Sequence, residues 1–161
     1  MKKLKLLFIC LGNICRSPAA QGIMQALVDK KGLNEKIFID SAGIGNWHVG
    51  QLPDRRMRTC GARHGYDFNH RARQFKADMD FDLFDTILVM DNQNLADIRS
   101  MAHNETEKGK VVALAHYLRN HSGQHDIPDP YYGSMSDFEH VIELLEDACS
   151  GLLESIVSER P

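Results

Sequence analysis

Apolar residues along this chain fall into two alternating patterns. Leu4 to Cys10 (LKLLFIC) is a short, nearly unbroken apolar run of the kind that forms a buried strand. Lys36 to Ser41 (KIFIDS), Thr86 to Met90 (TILVM) and, more weakly, Lys110 to Ala115 read the same way. Between these runs the spacing turns helical. Ala20, Ile23, Met24 and Leu27 after Pro18 mark one helix, Pro53-Asp54 opens a second that stops near His64-Gly65, and a third runs from Asn92 to Met101. A last helix is predicted from Ser136, where Ser136 and Glu139 make a capping-box pattern. Its stripe of Phe138, Val141, Ile142, Leu145, Cys149, Leu152 and Ile156 has core spacing. Strand–helix alternation predicts an α/β fold, a three-layer sandwich with a parallel sheet covered on both faces. Ligands in such sheets bind beyond the carboxyl ends of the strands.

At the first such end stand Cys10-Leu11-Gly12-Asn13-Ile14-Cys15-Arg16, followed by Ser17-Pro18. A turn between a strand and a helix N-terminus offers unpaired N–H groups and partial positive charge, which suit an anion. Gly12 and Asn13 tolerate the positive φ that folds N–H groups inward around a phosphate, and Arg16 adds a fork matching two oxygens. Ser17 is expected to cap the helix, with Pro18 at its first position. Cys10, at the strand end, would face the phosphorus; the field that suits an anion suits a thiolate, the attacking form. Its plain alternative is a small apolar residue closing a buried strand. No Gly-Lys-Ser/Thr follows, so this is not a Walker A loop.

The stretch Phe8 to Pro18 resembles the signature of the low-molecular-weight protein tyrosine phosphatases. Ser41-Ala42-Gly43 with Trp47-His48-Val49-Gly50, then His70-Arg71-Ala72-Arg73-Gln74, then Asp129-Pro130-Tyr131-Tyr132-Gly133 match that family in its order. The resemblance implies four parallel strands in the order 2-1-3-4 and hydrolysis of protein phosphotyrosine through a cysteinyl-phosphate, without cofactor or metal. Cys10 would be the nucleophile, and Leu11 to Ser17 the phosphate loop, also open to inorganic phosphate or sulfate. Asp129 would be general acid and then base. By itself Asp129 is as well read as a turn aspartate between Pro128 and Pro130; Asp126, outside the matched stretch, is the weaker choice. The family's loop-supporting network would comprise Asn13, Ser17, Ser41 and His70, although His70 alone reads as a loop histidine. The Ser17 hydroxyl can also donate to the Cys10 thiolate. Trp47, Tyr131 and Tyr132 would wall an aromatic slot that favours a phenyl ring over a shorter phosphoserine, the alternative being ordinary packing. Cys15 would be a redox partner of Cys10 or would simply pack.

Length and composition agree with one domain over residues 1–161: 161 residues, 43% hydrophobic and 25% charged. A net charge of −3 argues against nucleic acid or an anionic membrane as partner. Arg55, Arg56, Arg58, Arg71 and Arg73 are read as solvated surface in preference to a basic patch. Met1-Lys2-Lys3 followed by an apolar run suggests a leader, but Lys5, Asn13 and Arg16 break the run. No stretch is long enough to span a membrane. Four cysteines without disulfide or zinc spacing, and eight histidines without ligand spacing, point to a cytoplasmic, metal-free protein.

Three other functions are open to this loop. Arsenate reductases of similar fold need redox cysteines around positions 80–90, and Phe81 to Met90 contains none. Protein-arginine phosphatases carry Thr where this chain has Ile14. A non-catalytic phosphate-binding module would lack Cys10, Arg16 or Asp129, all present here.

Overall fold

A computed structural model describes residues 2–159; Met1, where the leader-like segment starts, and the last two residues lie outside them. Four strands, β1 (Leu4–Cys10), β2 (Ile37–Gly43), β3 (Thr86–Val89) and β4 (Val111–Ala113), pair in parallel in the order β2-β1-β3-β4. Side chains of β1 alternate between two cores, as a strand's period of two requires. Leu6 and Phe8 enter one core with Ile23 and Met24 of α1 (Arg16–Lys30), Met57 and Cys60 of α2 (Arg55–Arg63), and Phe138 to Leu153 of α6 (Met135–Glu159). Leu7 and Ile9 enter the other, with Phe81 of α3 (Ala77–Leu83) and Ile98 of α4 (Asn92–Ser100). Three layers result, with the sheet in the middle. Among the described residues no helix is long and apolar enough to cross a membrane.

Two elements escape the hydrophobic pattern. In α3 the apolar residues alternate with aspartates rather than following a helical stripe. The turn is held instead by Asp80, which accepts the Lys76 N–H at 2.8 Å and is 3% exposed. Helix α5 (Glu105–Gly109) has no buried residue and closes on an Asn104 cap. Strand β2 ends at Gly43, where Ala42 and Gly43 pair with Ile9 and Cys10. The last helix starts one residue early, and its box is shifted by two: the Ser134 N–H donates to the Asp137 carboxylate at 2.7 Å, while Glu139 takes His64 from α2.

The register decides where the chemistry sits. Cys10 lies beside Gly43 at the carboxyl end of the sheet, and Ile9 lies between Ala42 and Val89. The loop after β1 therefore opens between the segments following β2 and β3.

Candidate active site

The loop from Cys10 to Arg16 is turned inside out compared with an ordinary turn. Its carbonyls point outward and are taken by neighbours: Cys10 by the Ile44 N–H (3.1 Å), Leu11 by Gly45 (2.9 Å), Ile14 by Asp54 (2.7 Å). The N–H groups of Gly12 to Cys15 donate to nothing among the described residues. A ring of free donors above a helix N-terminus is an anion cradle. Asn13 makes the turn with φ 57°, the one non-glycine in the left-handed region among the described residues. Gly12 is not in that region, contrary to expectation; its missing side chain makes room for the His48 ring, 3.1 Å from where a Cβ would stand. Gly43 is the tighter passage, since a Cβ there would come within 2.9 Å of Gly12 carbonyl carbon.

Cys10 Sγ lies at the floor of the cradle, 3% exposed by residue, 3.0 Å from Ser17 Oγ and 3.4 Å from the Ser17 N–H. The expected cap is thus absent. Helix α1 begins at Arg16 after Cys15, Ser17 and Pro18 are its second and third residues, and the hydroxyl serves the sulfur. Cys15 is buried with a free thiol; burial pushes that thiol well above its ordinary range, and the charges of Asp54, Cys10 and Asp129 add to the effect.

Arg16 is almost wholly buried, and its nitrogens are divided. Nη1 donates to Asp91 Oδ2 (2.7 Å) and to the Ile127 carbonyl (2.9 Å), Nη2 stands 3.7 Å from Asp129 Oδ2, and Nε has no partner among the described residues. Burial opposes its charge, but the Cys10 sulfur, the Asp91 hydrogen bond and the Asp129 carboxylate outweigh it and hold the guanidinium protonated. An unpaired buried N–H costs about 1–3 kcal/mol, so Nε marks where an acceptor belongs. Asp129 faces the cradle from across a pocket of about 250 Å³, its other oxygen accepting the Tyr131 N–H at 3.1 Å. Trp47, Tyr131 and Tyr132 line the same pocket, with the exposed Leu11 and the buried Ile14. Trp47 and Tyr132 stand out at the mouth, 64% and 96% exposed, and the two tyrosine rings meet edge-on at 4.9 Å.

Asn13 Nδ2 donates to Ser17 Oγ (2.7 Å) and Ser41 Oγ (3.0 Å), and the Ser41 hydroxyl donates to Gln21 Oε1. His70 makes no side-chain hydrogen bond to this chain among the described residues, but it stands against the Ser41 main chain. Its Nδ1 lies 3.8 Å from Asp40 Oδ1, and its buried Nε2 has no partner among the described residues. Burial lowers its proton affinity against the pull of Asp40.

The family model for low molecular weight phosphotyrosine protein phosphatases matches residues 5–161. The chain belongs to that family. The low molecular weight protein-tyrosine-phosphatase YfkJ of Bacillus subtilis is 41% identical over 157 residues, 98% of each chain. A protein tyrosine phosphatase of Entamoeba histolytica, solved with Hepes in its active site, superposes with a TM-score of 0.93 at 38% identity, covering 99% of this chain and all of that one. A Drosophila arginine phosphatase superposes at 0.87 with 34% identity over 95% of this chain and 98% of its own.

Within this phosphatase framework, several residues near the cradle have no signal in the sequence. Asp91 holds Arg16 and caps α4 through the Asn94 N–H (2.8 Å); only the Asp-before-helix pattern at Asp91-Asn92 hints at it. Gln21 ends the Asn13–Ser41 chain and looks like any helical glutamine. Two arginines assigned to solvated surface are not free. Arg56 lies over the Tyr131 and Phe138 rings (5.5 and 4.6 Å), and Arg73 is half-buried between Asp40 and Asp80.

Proposed function

We propose that this protein hydrolyses phosphotyrosine in protein substrates, with Cys10 as nucleophile, Arg16 and the Leu11–Ser17 loop as phosphate binders, and Asp129 as general acid and base. The observation that carries the reading is the convergence on one pocket of a buried sulfur, a ring of free N–H groups, an unpartnered Arg16 Nε and a carboxylate facing them. The dianionic phosphoryl group sits in the cradle, two oxygens on Arg16 Nε and Nη2. The Cys10 thiolate attacks phosphorus in line as the bond to the aryl oxygen breaks, and Asp129 gives its proton to that oxygen. The cradle holds the equatorial oxygens throughout, where charge is stabilised without reorganisation. Water then attacks the cysteinyl-phosphate, Asp129 takes its proton, and the sulfur leaves toward the Ser17 hydroxyl as phosphate departs.

A phenyl ring standing in the slot between Trp47, Tyr131 and Tyr132 would bring its phosphate to the floor. Ile14 in the pocket favours the aryl ester over phosphoarginine, the second reading, which the likeness to the Drosophila enzyme keeps in the test. One domain over residues 1–161, phosphoprotein partners and a reducing, cytoplasmic location complete the proposal, the last supported by four free thiols.

Purified wild type, Cys10→Ser and Asp129→Ala are compared on an aryl phosphate, a phosphotyrosine peptide and phosphoarginine. Cys10→Ser is expected to lose turnover altogether. Asp129→Ala should lose ~10²–10⁴-fold in kcat with a poor leaving group and much less with a good one. Turnover by Cys10→Ser would sink the mechanism; a strong preference for phosphoarginine would sink the substrate class.

A further inference from the structure

Asn13 needs more support than its side chain's two serine contacts. A residue with a side chain is strained in the left-handed region, Asn less than most, and the neighbours must hold it there. Ser17 and Ser41 sit on a helix and a strand, which are rigid. The third contact, Arg73 N–H to Asn13 Oδ1 (3.0 Å), comes from an irregular segment with only an isolated bridge at Gln74. Main-chain bonds tie its flanks, from the Ala72 N–H to the Gln51 carbonyl (2.8 Å) and from the Phe75 N–H to the Gly43 carbonyl (2.7 Å).

Between those ties, Arg73 is oriented by its own side chain. The guanidinium donates from Nε to Asp40 Oδ2 on β2 (3.1 Å), and from Nη1 and Nη2 to both oxygens of Asp80 on α3 (3.1 Å each). A bidentate, charge-assisted pair of this kind sets orientation as well as distance. The main chain of Arg73 then grips the site twice, its N–H on Asn13 and its carbonyl on the Gly43 N–H (2.8 Å). Gly43 lies beside Cys10 in the sheet.

We propose that Arg73 is a positioning residue for the phosphate loop, acting through its main-chain N–H on Asn13 and held in place by Asp40 and Asp80 instead of offering its charge to the substrate. Helix α3 then has a task in the reaction, since it supplies Asp80. The inference rests on the reading of Leu11–Ser17 as the loop that holds the phosphoryl group.

The test uses Arg73→Gln/Asp80→Asn, which avoids stranding a buried carboxylate, and Arg73→Lys, which keeps the charge but cannot span both carboxylates. Both are assayed on an aryl phosphate beside wild type and Cys10→Ser, with thermal unfolding as the check on folding. The double variant should lose ~10- to 100-fold in kcat, as small displacements of a reacting group do. KM should change by less than about threefold, and Arg73→Lys should fall between the two. In an Asn13→Gly background, where the left-handed turn needs no side-chain support, adding Arg73→Lys should cost less than about threefold, because the two residues act through one contact. Wild-type kcat in both Arg73 variants would overturn the proposal, as would losses that multiply fully in the Asn13→Gly background. Turnover by Cys10→Ser would instead bring down the reaction mechanism, so the two failures are distinguishable.

Discussion

Single atoms decide much of this site. Gly43 is required because a methyl group there would meet the main chain of Gly12 and Asn13 at 2.9 and 3.0 Å, and backbone cannot yield as a side-chain tip can. Gly43→Ala should therefore destabilise the fold by about 1–3 kcal/mol, the range for overpacking, and weaken phosphate binding with it. Urea unfolding together with phosphate titration would test both effects. Asp91 offers a cleaner separation of roles. Asn at that position still caps α4 but no longer neutralises Arg16, whose guanidinium is 3% exposed. Asp91→Asn should cost about 2–3 kcal/mol, below the 3–5 kcal/mol of a fully buried pair because the carboxylate is a quarter exposed. An unchanged unfolding midpoint would show that Arg16 does not depend on Asp91. His70 is half-buried with lowered proton affinity, so a proton there disfavours the folded state.

Between elements, the long helix α6 acts as the anchor for two neighbouring segments. Its Glu139 binds His64 at the end of α2 (2.5 Å), and its Asp147 accepts the N–H groups of Arg119 (3.1 Å) and Asn120 (2.9 Å) and binds His121 Nδ1 (2.8 Å). The hydrogen bond to Glu139 raises the His64 value above 6.5, and the same bond lowers Glu139 below 4.5. The histidine's contribution is thus full below pH 6.5 and lost as pH rises through its raised folded value. The carboxylate's is full above 4.5 and lost as pH falls through its lowered folded value. Their link should be strongest between those limits: His64→Gln is expected to lower the melting temperature at pH 5.5 and to have little effect at pH 9. Equal loss at both would show that the contact is not electrostatic. Asp147 differs in being buried. Burial opposes its charge, while His121 and the two N–H groups hold it below 3.8, so it stabilises above that value and lets go of the Arg119–His121 segment in stronger acid. That segment leads into the stretch carrying Asp129.

Over the whole molecule, the cradle, the Asp91 turn and the Asp129 loop belong to different segments that Arg16 brings together. A ligand bridging them should stabilise the folded state as a unit. Inorganic phosphate at 100 times its Kd should add about 2.7 kcal/mol, a rise of ~5–10 °C in melting temperature for a chain this size. Arg16→Ala should abolish the rise while leaving a measurable unfolding transition, which differential scanning calorimetry would check. A shift that survives Arg16→Ala would place the anion elsewhere.

The order of strands and helices was legible in the chain because buried strands and amphipathic helices carry periodic apolar signals, and the Cys10–Arg16 loop because its residue types have few other uses at one strand end. The contact of Asp91 with Arg16, helix α3 and the packing of Arg73 and Arg56 were not legible. Each depends on a charged residue whose partner the fold selects, 75 positions away for Arg16 and Asp91 and seven for Arg73 and Asp80, and charge carries no period to reveal a pairing. Ser17 shows the same limit at short range. Its type and place fit a helix cap, and only the path of the chain turned its hydroxyl to the sulfur of Cys10. Local pattern therefore named the chemistry available at the cradle. The folded structure alone decided which carboxylates, amides and guanidinium groups hold that cradle in shape, because those contacts exist only once distant segments are packed together.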